Sequence, residues 1–180
     1  MASRRRSHLV LVLGGASSGK SDAALDLGSK GISSKARRVV VATAEGLDEE
    51  MAMKIARHRQ SRSPAWETAE VPIELTTWFT DKAKTYRIIV VDCLTMWLSN
   101  LSGIGKKDQE IREEAQTFLR SIRRIGARVV LVSNELGMGV VPGDPISRRF
   151  RELSGNVNRL VAEEADEAYL IVSGMPIRLK

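Results

Sequence analysis

The run Gly14-Gly-Ala-Ser-Ser-Gly-Lys-Ser21 matches the pattern G-x-x-x-x-G-K-[ST] and commits the chain around it to a strand, a tight loop and a helix. The preceding His8-Leu-Val-Leu-Val-Leu13 is a continuous apolar segment of strand length, and Asp22-Ala-Ala-Leu-Asp-Leu27 behind the loop suits a helix. Glycine at 14, 15 and 19 lets successive backbone N–H groups turn inward with no Cβ in the way, which makes a concave anion site. The helix N-terminus adds partial positive charge. Gly14, Gly15, Ala16, Ser17, Ser18, Gly19, Lys20 and Ser21 are therefore expected to cradle the phosphates of a nucleoside triphosphate. Lys20 would reach the β and γ phosphates, and Ser21 would ligate Mg²⁺. The plain competitor is an ordinary Gly/Ser turn, which the strand–loop–helix context argues against.

The rest of the chain supplies a sheet for that loop to sit on. Val39-Val-Val-Ala42, Ile88-Ile-Val-Val91, Val129-Val-Leu-Val132 and Ala168-Tyr-Leu-Ile-Val172 are apolar without alternation, as expected of strands buried on both faces. Ile111, Ala115, Phe118, Leu119, Ile122 and Ile125 recur at spacings of three and four and predict one amphipathic helix. Ile146, Phe150, Leu153, Val157, Leu160 and Val161 predict a second. Strands alternating with helices imply an α/β fold: a P-loop, RecA-like, doubly wound and mostly parallel sheet flanked by helices. Leu170 to Lys180 places two short apolar runs around Ser173-Gly-Met-Pro176, which predicts a closing antiparallel C-terminal hairpin. At 180 residues one domain is expected, residues 8–180, behind a basic extension over residues 1–7.

Composition narrows the function. No apolar stretch approaches the roughly 18 residues of a membrane helix, so membrane insertion is not expected. Cys93 is the single cysteine, which excludes an internal disulfide and favours a reducing cytoplasm. The two histidines lie far apart without a cysteine cluster, against a zinc site. Net charge is +6, but the basic residues are scattered and only three Phe, two Tyr and three Trp are available for stacking. A polyanionic small molecule suits that excess better than a nucleic-acid partner.

Three further segments carry candidate chemistry. Ile88-Ile-Val-Val-Asp92 is an apolar strand ending in a carboxylate, which in P-loop proteins helps hold Mg²⁺; the alternative is a helix N-cap. Asp48 to Arg59 reads as a helix with acidic residues in its first turn and Arg57, His58 and Arg59 in its last, a polarity the macrodipole already explains. His58 falls on its apolar face with Met51 and Ile55, where a core role competes with catalysis, and Arg59 and Arg62 can bind phosphate bidentately. Ser133-Asn-Glu-Leu-Gly-Met-Gly-Val-Val-Pro142 follows a buried strand at the carboxyl edge of the sheet, where such folds bind ligands.

Together these segments resemble a known family, the bifunctional adenosylcobinamide kinase/adenosylcobinamide-phosphate guanylyltransferases of cobalamin biosynthesis. The resemblance runs over nearly the whole chain after about residue 8. Its most specific parts are Asn134-Glu-Leu-Gly-Met-Gly-Val-Val-Pro142 and the segment running from Asp48-Glu-Glu-Met51 through His58-Arg59 to Arg62. Ala42-Thr-Ala-Glu45, Trp66-Glu-Thr-Ala-Glu70, Asp92-Cys-Leu-Thr95, Gly155-Asn-Val-Asn158 and Val172-Ser-Gly174 extend it. The resemblance implies phosphorylation of adenosylcobinamide by ATP or GTP, then transfer of GMP from GTP through a GMP-histidine intermediate. The matching position is His58, with Lys20 as its catalytic companion. Thr43, Ala44, Glu45, Arg59, Gln60, Ser61, Arg62, Glu70 and Asp92 would line the guanine nucleotide, with Ser21 and Asp92 holding Mg²⁺. It also implies a homotrimer. A single-activity member, an unrelated small-metabolite P-loop kinase and a RecA-like nucleotide switch acting on nucleic acid are the competing readings.

Overall fold

A computed structural model of the chain describes residues 6–45, Met53 and 63–180. Seven strands form one sheet: β1 (His8–Gly14), β2 (Arg38–Ala42), β3 (Trp66–Glu70), β4 (Ile88–Asp92), β5 (Arg128–Asn134), β6 (Glu167–Val172) and β7 (Met175–Arg178). Their spatial order is β3-β2-β4-β5-β1-β6-β7, with every pair parallel except the last. The uniformly apolar strands are buried on both faces because helices cover both sides. On one side α1 (Lys20–Ser29) packs Ala24 against Val10, Val12, Val40, Val90, Val130 and Val132. On the other lie α2 (Leu75–Asp81), α3 (Leu94–Gly103), α4 (Asp108–Ile122) and α5 (Pro145–Glu164). Their core includes Leu9, Leu11, Val39, Ile89, Val129 and Leu131 from the sheet, with Phe79, Trp97, Phe118, Leu153 and Val157 from the helices.

The two predicted stripes behave differently at their ends. In α4, Ile111, Ala115, Phe118, Leu119 and Ile122 are all buried, whereas Ile125 lies beyond the helix, half-buried against the core. In α5, Leu153, Val157 and Val161 are buried, but Ile146 is 80% exposed. It sits in the first turn, where Pro145 and the Asp144 carboxylate, accepting from Ser147 N at 2.8 Å, start the helix before it reaches the sheet. Periodicity locates a face and leaves open where along the helix the neighbour begins.

The C-terminal hairpin forms as expected. Tyr169 pairs with Arg178, Leu170 with Ile177 and Val172 with Met175, around a turn of two positive-φ residues, Ser173 and Gly174. Strand β3 was not expected. It is the opposite edge, with a partly exposed face, so its residues lack the uniform apolarity that marks the inner strands. The N-terminal extension is also less peripheral than the boundary at residue 8 implies. Ser7 is buried, its hydroxyl donating to Ile122 O at 2.5 Å and accepting from Gly126 N at 3.0 Å. No helix among the described residues is long and apolar enough to cross a membrane.

Candidate functional site

Every parallel strand delivers its C-terminal end to one edge of the sheet, and the described site residues gather there. Strand β1 ends at Gly14, the loop follows, and α1 begins at Lys20. Gly19 caps α1 with φ of 86°, a conformation open to glycine, and among the described residues no side chain bonds the first helical N–H groups. Those donors are left for a ligand. The Lys20 ammonium donates to Gly15 O at 2.9 Å, folded back along the loop it belongs to.

Both neighbouring strands brace the loop. Glu135 N, just past β5, donates to Gly14 O at 3.1 Å. Gly174 N, in the β6–β7 turn, donates to Ser18 O at 2.8 Å. The fit is close at Gly14, where a Cβ would lie 2.4 Å from Ser18 Oγ and 3.0 Å from Ile171 O. The Ser18 hydroxyl is enclosed and has no hydrogen-bond partner among the described residues.

On the far side of the same edge, Ala42 is in register with both Glu70 of β3 and Asp92 of β4. Glu70 is exposed and Asp92 half-buried. The residue at the α3 N-cap position is Cys93. Thr43 follows β2, wholly buried. Its hydroxyl donates to Cys93 O at 2.6 Å and accepts from Cys93 N at 2.9 Å, while Asn100 Nδ2 donates to Thr43 O at 2.8 Å. The Thr43 side chain is thus occupied in clasping β2 to the end of β4, and Ala44 and Glu45 follow half-buried at the edge. Burial pushes the Cys93 thiol up, the Asp92 charge adds to this, and backbone bonding and the Lys20 cation work against it.

The arrangement joins an open helix N-terminus, a lysine and a serine hydroxyl on one strand–helix unit to carboxylates two and four strands away. That is a site for a polyphosphate with a divalent cation. Among the described residues no group of three or more His, Cys, Asp or Glu could hold a metal alone. Hard oxygen donors in small number suit Mg²⁺, which keeps waters and takes further ligands from phosphate oxygens. His58, Arg59, Gln60, Ser61 and Arg62, and all of the helix expected over 48–59 except Met53, lie outside the described residues. Two supports escaped the sequence reading: Thr95, whose hydroxyl accepts from Asn134 N at 2.8 Å, and Asn158, whose Nδ2 donates to Asn134 O at 3.0 Å. Each bridges segments far apart in the chain, so no local pattern announces it.

The sequence model of a family described as cobinamide kinase / cobinamide phosphate guanyltransferase matches residues 10–179. The bifunctional adenosylcobalamin biosynthesis protein CobU of Salmonella typhimurium is 37% identical, across 96% of this chain and 99% of its own. The bifunctional adenosylcobalamin biosynthesis protein CobP of Pseudomonas aeruginosa is 38% identical, across 94% of this chain and 96% of its own. Among solved structures, the flagellar accessory protein FlaH from Methanocaldococcus jannaschii aligns with a TM-score of 0.58 at 15% identity, covering 98% of this chain and 79% of that one. The KaiC-like protein PH0186 from Pyrococcus horikoshii gives 0.53 at 14%, covering 92% and 71%. At such identities the likeness is one of fold alone, and it matches the P-loop, RecA-like architecture expected of the chain.

Proposed function

Since the chain belongs to the cobinamide kinase / cobinamide phosphate guanyltransferase family, we propose that it phosphorylates adenosylcobinamide and then converts the product to adenosylcobinamide-GDP. The observation that supports this reading is the placement of the Lys20 loop, Asp92 and Glu70 at the same edge of the sheet, in a chain matched to that family over residues 10–179.

In the first reaction the aminopropanol hydroxyl attacks the γ-phosphorus of ATP or GTP. The diphosphate leaves and the hydroxyl proton is released. Backbone N–H groups of Gly14 to Ser21 hold the phosphates, and Lys20 turns from Gly15 O to the β and γ oxygens. Ser21 and Asp92 are the residues that would hold Mg²⁺, which neutralises phosphate charge when bound. In the second reaction a neutral His58 nitrogen attacks the α-phosphorus of GTP and pyrophosphate leaves. A phosphate oxygen of the corrinoid then attacks the same phosphorus, breaks the N–P bond and frees His58. Arg59 and Arg62 neutralise the α-phosphate, with Thr43 to Glu45, Gln60, Ser61 and Glu70 around the nucleotide. The protein works as a homotrimer in the cytoplasm.

Incubation with α-labelled GTP and Mg²⁺, followed by denaturation, tests this directly. Wild-type protein should retain label in an acid-labile, alkali-stable bond, the signature of a phosphoramidate. His58→Ala should retain none and make no adenosylcobinamide-GDP, yet still phosphorylate adenosylcobinamide. Label retained by the variant would name another nucleophile. Wild type without label would leave a single-activity kinase or a direct transfer of GMP.

A further inference from the structure

We infer that the cavity between α3, α5 and the loop over residues 136–143 is the seat of the corrinoid acceptor, taking one amide-fringed edge of its macrocycle. This rests on the function proposed above. The cavity measures about 450 Å³. Leu136, Phe150 and Leu153 give it an apolar wall, and Ser99 and Ser102 of α3 bring hydroxyls that no other described residue engages. The charged groups of its lining are already engaged. Asp108 and Arg149 pair with each other at 2.8 Å, and Arg151 is bonded to backbone carbonyls. What remains for a ligand is apolar surface with a few neutral hydrogen-bonding groups, the usual make-up of a small-molecule site. A corrin matches it, with methylated faces and primary amides around its rim.

The loop that walls the cavity is fastened by its backbone. Arg148 donates to Pro142 O at 3.0 Å and to Gly143 O at 2.6 Å, while Arg151 donates to Val140 O at 3.0 Å and to Gly137 O. Carbonyls outside helix and strand need such donors. Val140 and Ile146, which also line the cavity, are nevertheless 95 and 80% exposed. Apolar side chains held outward on a fastened loop carry a solvation cost that a ligand relieves. Position selects which ligand. Asn134 closes β5 in register with Gly14, and Glu135 N bonds Gly14 O. Leu136 therefore starts the cavity wall within about 7 Å of the end of β5, two residues of extended chain. A molecule seated there has its reacting arm at the edge that offers the phosphate site, as the acceptor hydroxyl requires.

Initial rates of the full-length protein, with ATP saturating and adenosylcobinamide varied, test the seat. The double variant Ser99→Ala/Ser102→Ala should raise KM for adenosylcobinamide about tenfold, as expected for two neutral hydrogen bonds lost. Its kcat and its KM for ATP should stay within about twofold of wild type. Val140→Asp, which sets a charge against the apolar macrocycle, should raise the acceptor KM at least as much. Thermal melts within a few degrees of wild type show that each variant folds, and light scattering should return the wild-type mass. An acceptor KM unmoved in both variants overturns the proposal. Parallel rises in the KM of acceptor and ATP mean a general loosening and overturn it as well. A changed mass alongside the changed KM means that the loop is a subunit contact, which also overturns it. A wild-type protein that turns over no adenosylcobinamide overturns the functional reading and the seat together, whereas an active wild type with unaffected variants removes the seat alone.

Discussion

Asp166, just past α5, ties the start of β1 to the end of α4. Its carboxylate accepts from Leu9 N at 2.7 Å and from Arg123 at 2.7 Å. Partial burial pulls its pKa up, but these donors outweigh it and the net shift is downward. Glu167 beside it is also lowered, chiefly by the Tyr169 hydroxyl and then by His8. A folded-state pKa below the unfolded one gives stability that is present above the unfolded value, about 4, and is lost as pH falls through the folded one. Melting temperature should therefore hold level from neutral pH to about 5 and fall below about 4. Asp166→Asn should lower the neutral-pH value by about 2–4 °C and soften the acid drop, as melts between pH 3 and 7 would register. Lys20, Ser21 and Asp92 could be picked out from the sequence because their signals are local: a short motif, and a carboxylate ending an apolar run. Thr95 and Asn158 could not, because the bonds they make to Asn134 cross long stretches of chain.

Helix α4 shows how much one element's periodicity determines. Its apolar stripe places Phe118 edge-on to Phe79, with centroids 5.0 Å apart, and 5.4 Å from Trp97. Rings in such tilted pairs gain beyond their burial. Phe118→Ala should cost about 3–5 kcal/mol through lost contacts and a residual cavity. Thermal denaturation should fall by about 10 °C, and a drop under about 3 °C would mean the cluster collapses to fill the space. The inner strands and the two long stripes were readable because burial imposes one composition on them. Strand β3 was not, since an edge strand with an exposed face carries Trp66, Glu67 and Glu70 in no uniform pattern. Helices α2 and α3 likewise gave no clear stripe: α3 is buried at Leu94, Thr95, Trp97, Leu98, Asn100 and Leu101, nearly all round.

The assembled molecule is where sequence reading gives out first, because strand order follows from pairings that no single segment encodes. The proposed homotrimer belongs to this scale. Met138, Val140, Val141 and Ile146 are between 65 and 95% exposed, more apolar surface in one short region than scattered surface residues supply. Light scattering at micromolar concentration should give about three times the 19.8 kDa chain mass, and a clean monomer would refute the trimer. The position of β1 has a consequence in time. It is the first strand made, yet it pairs with β5 and β6, and its loop is bonded by Gly174 of the last hairpin. On a ribosome, the phosphate-binding loop emerges long before the segments that shape it. At roughly 5–20 residues per second the wait is on the order of ten to thirty seconds. Throughout that interval the nascent chain has the loop's residues without its form, so nucleotide cannot steady the growing chain. A message that stops short of Gly174 yields a protein with the phosphate-binding motif intact but without the hairpin that braces one side of its loop.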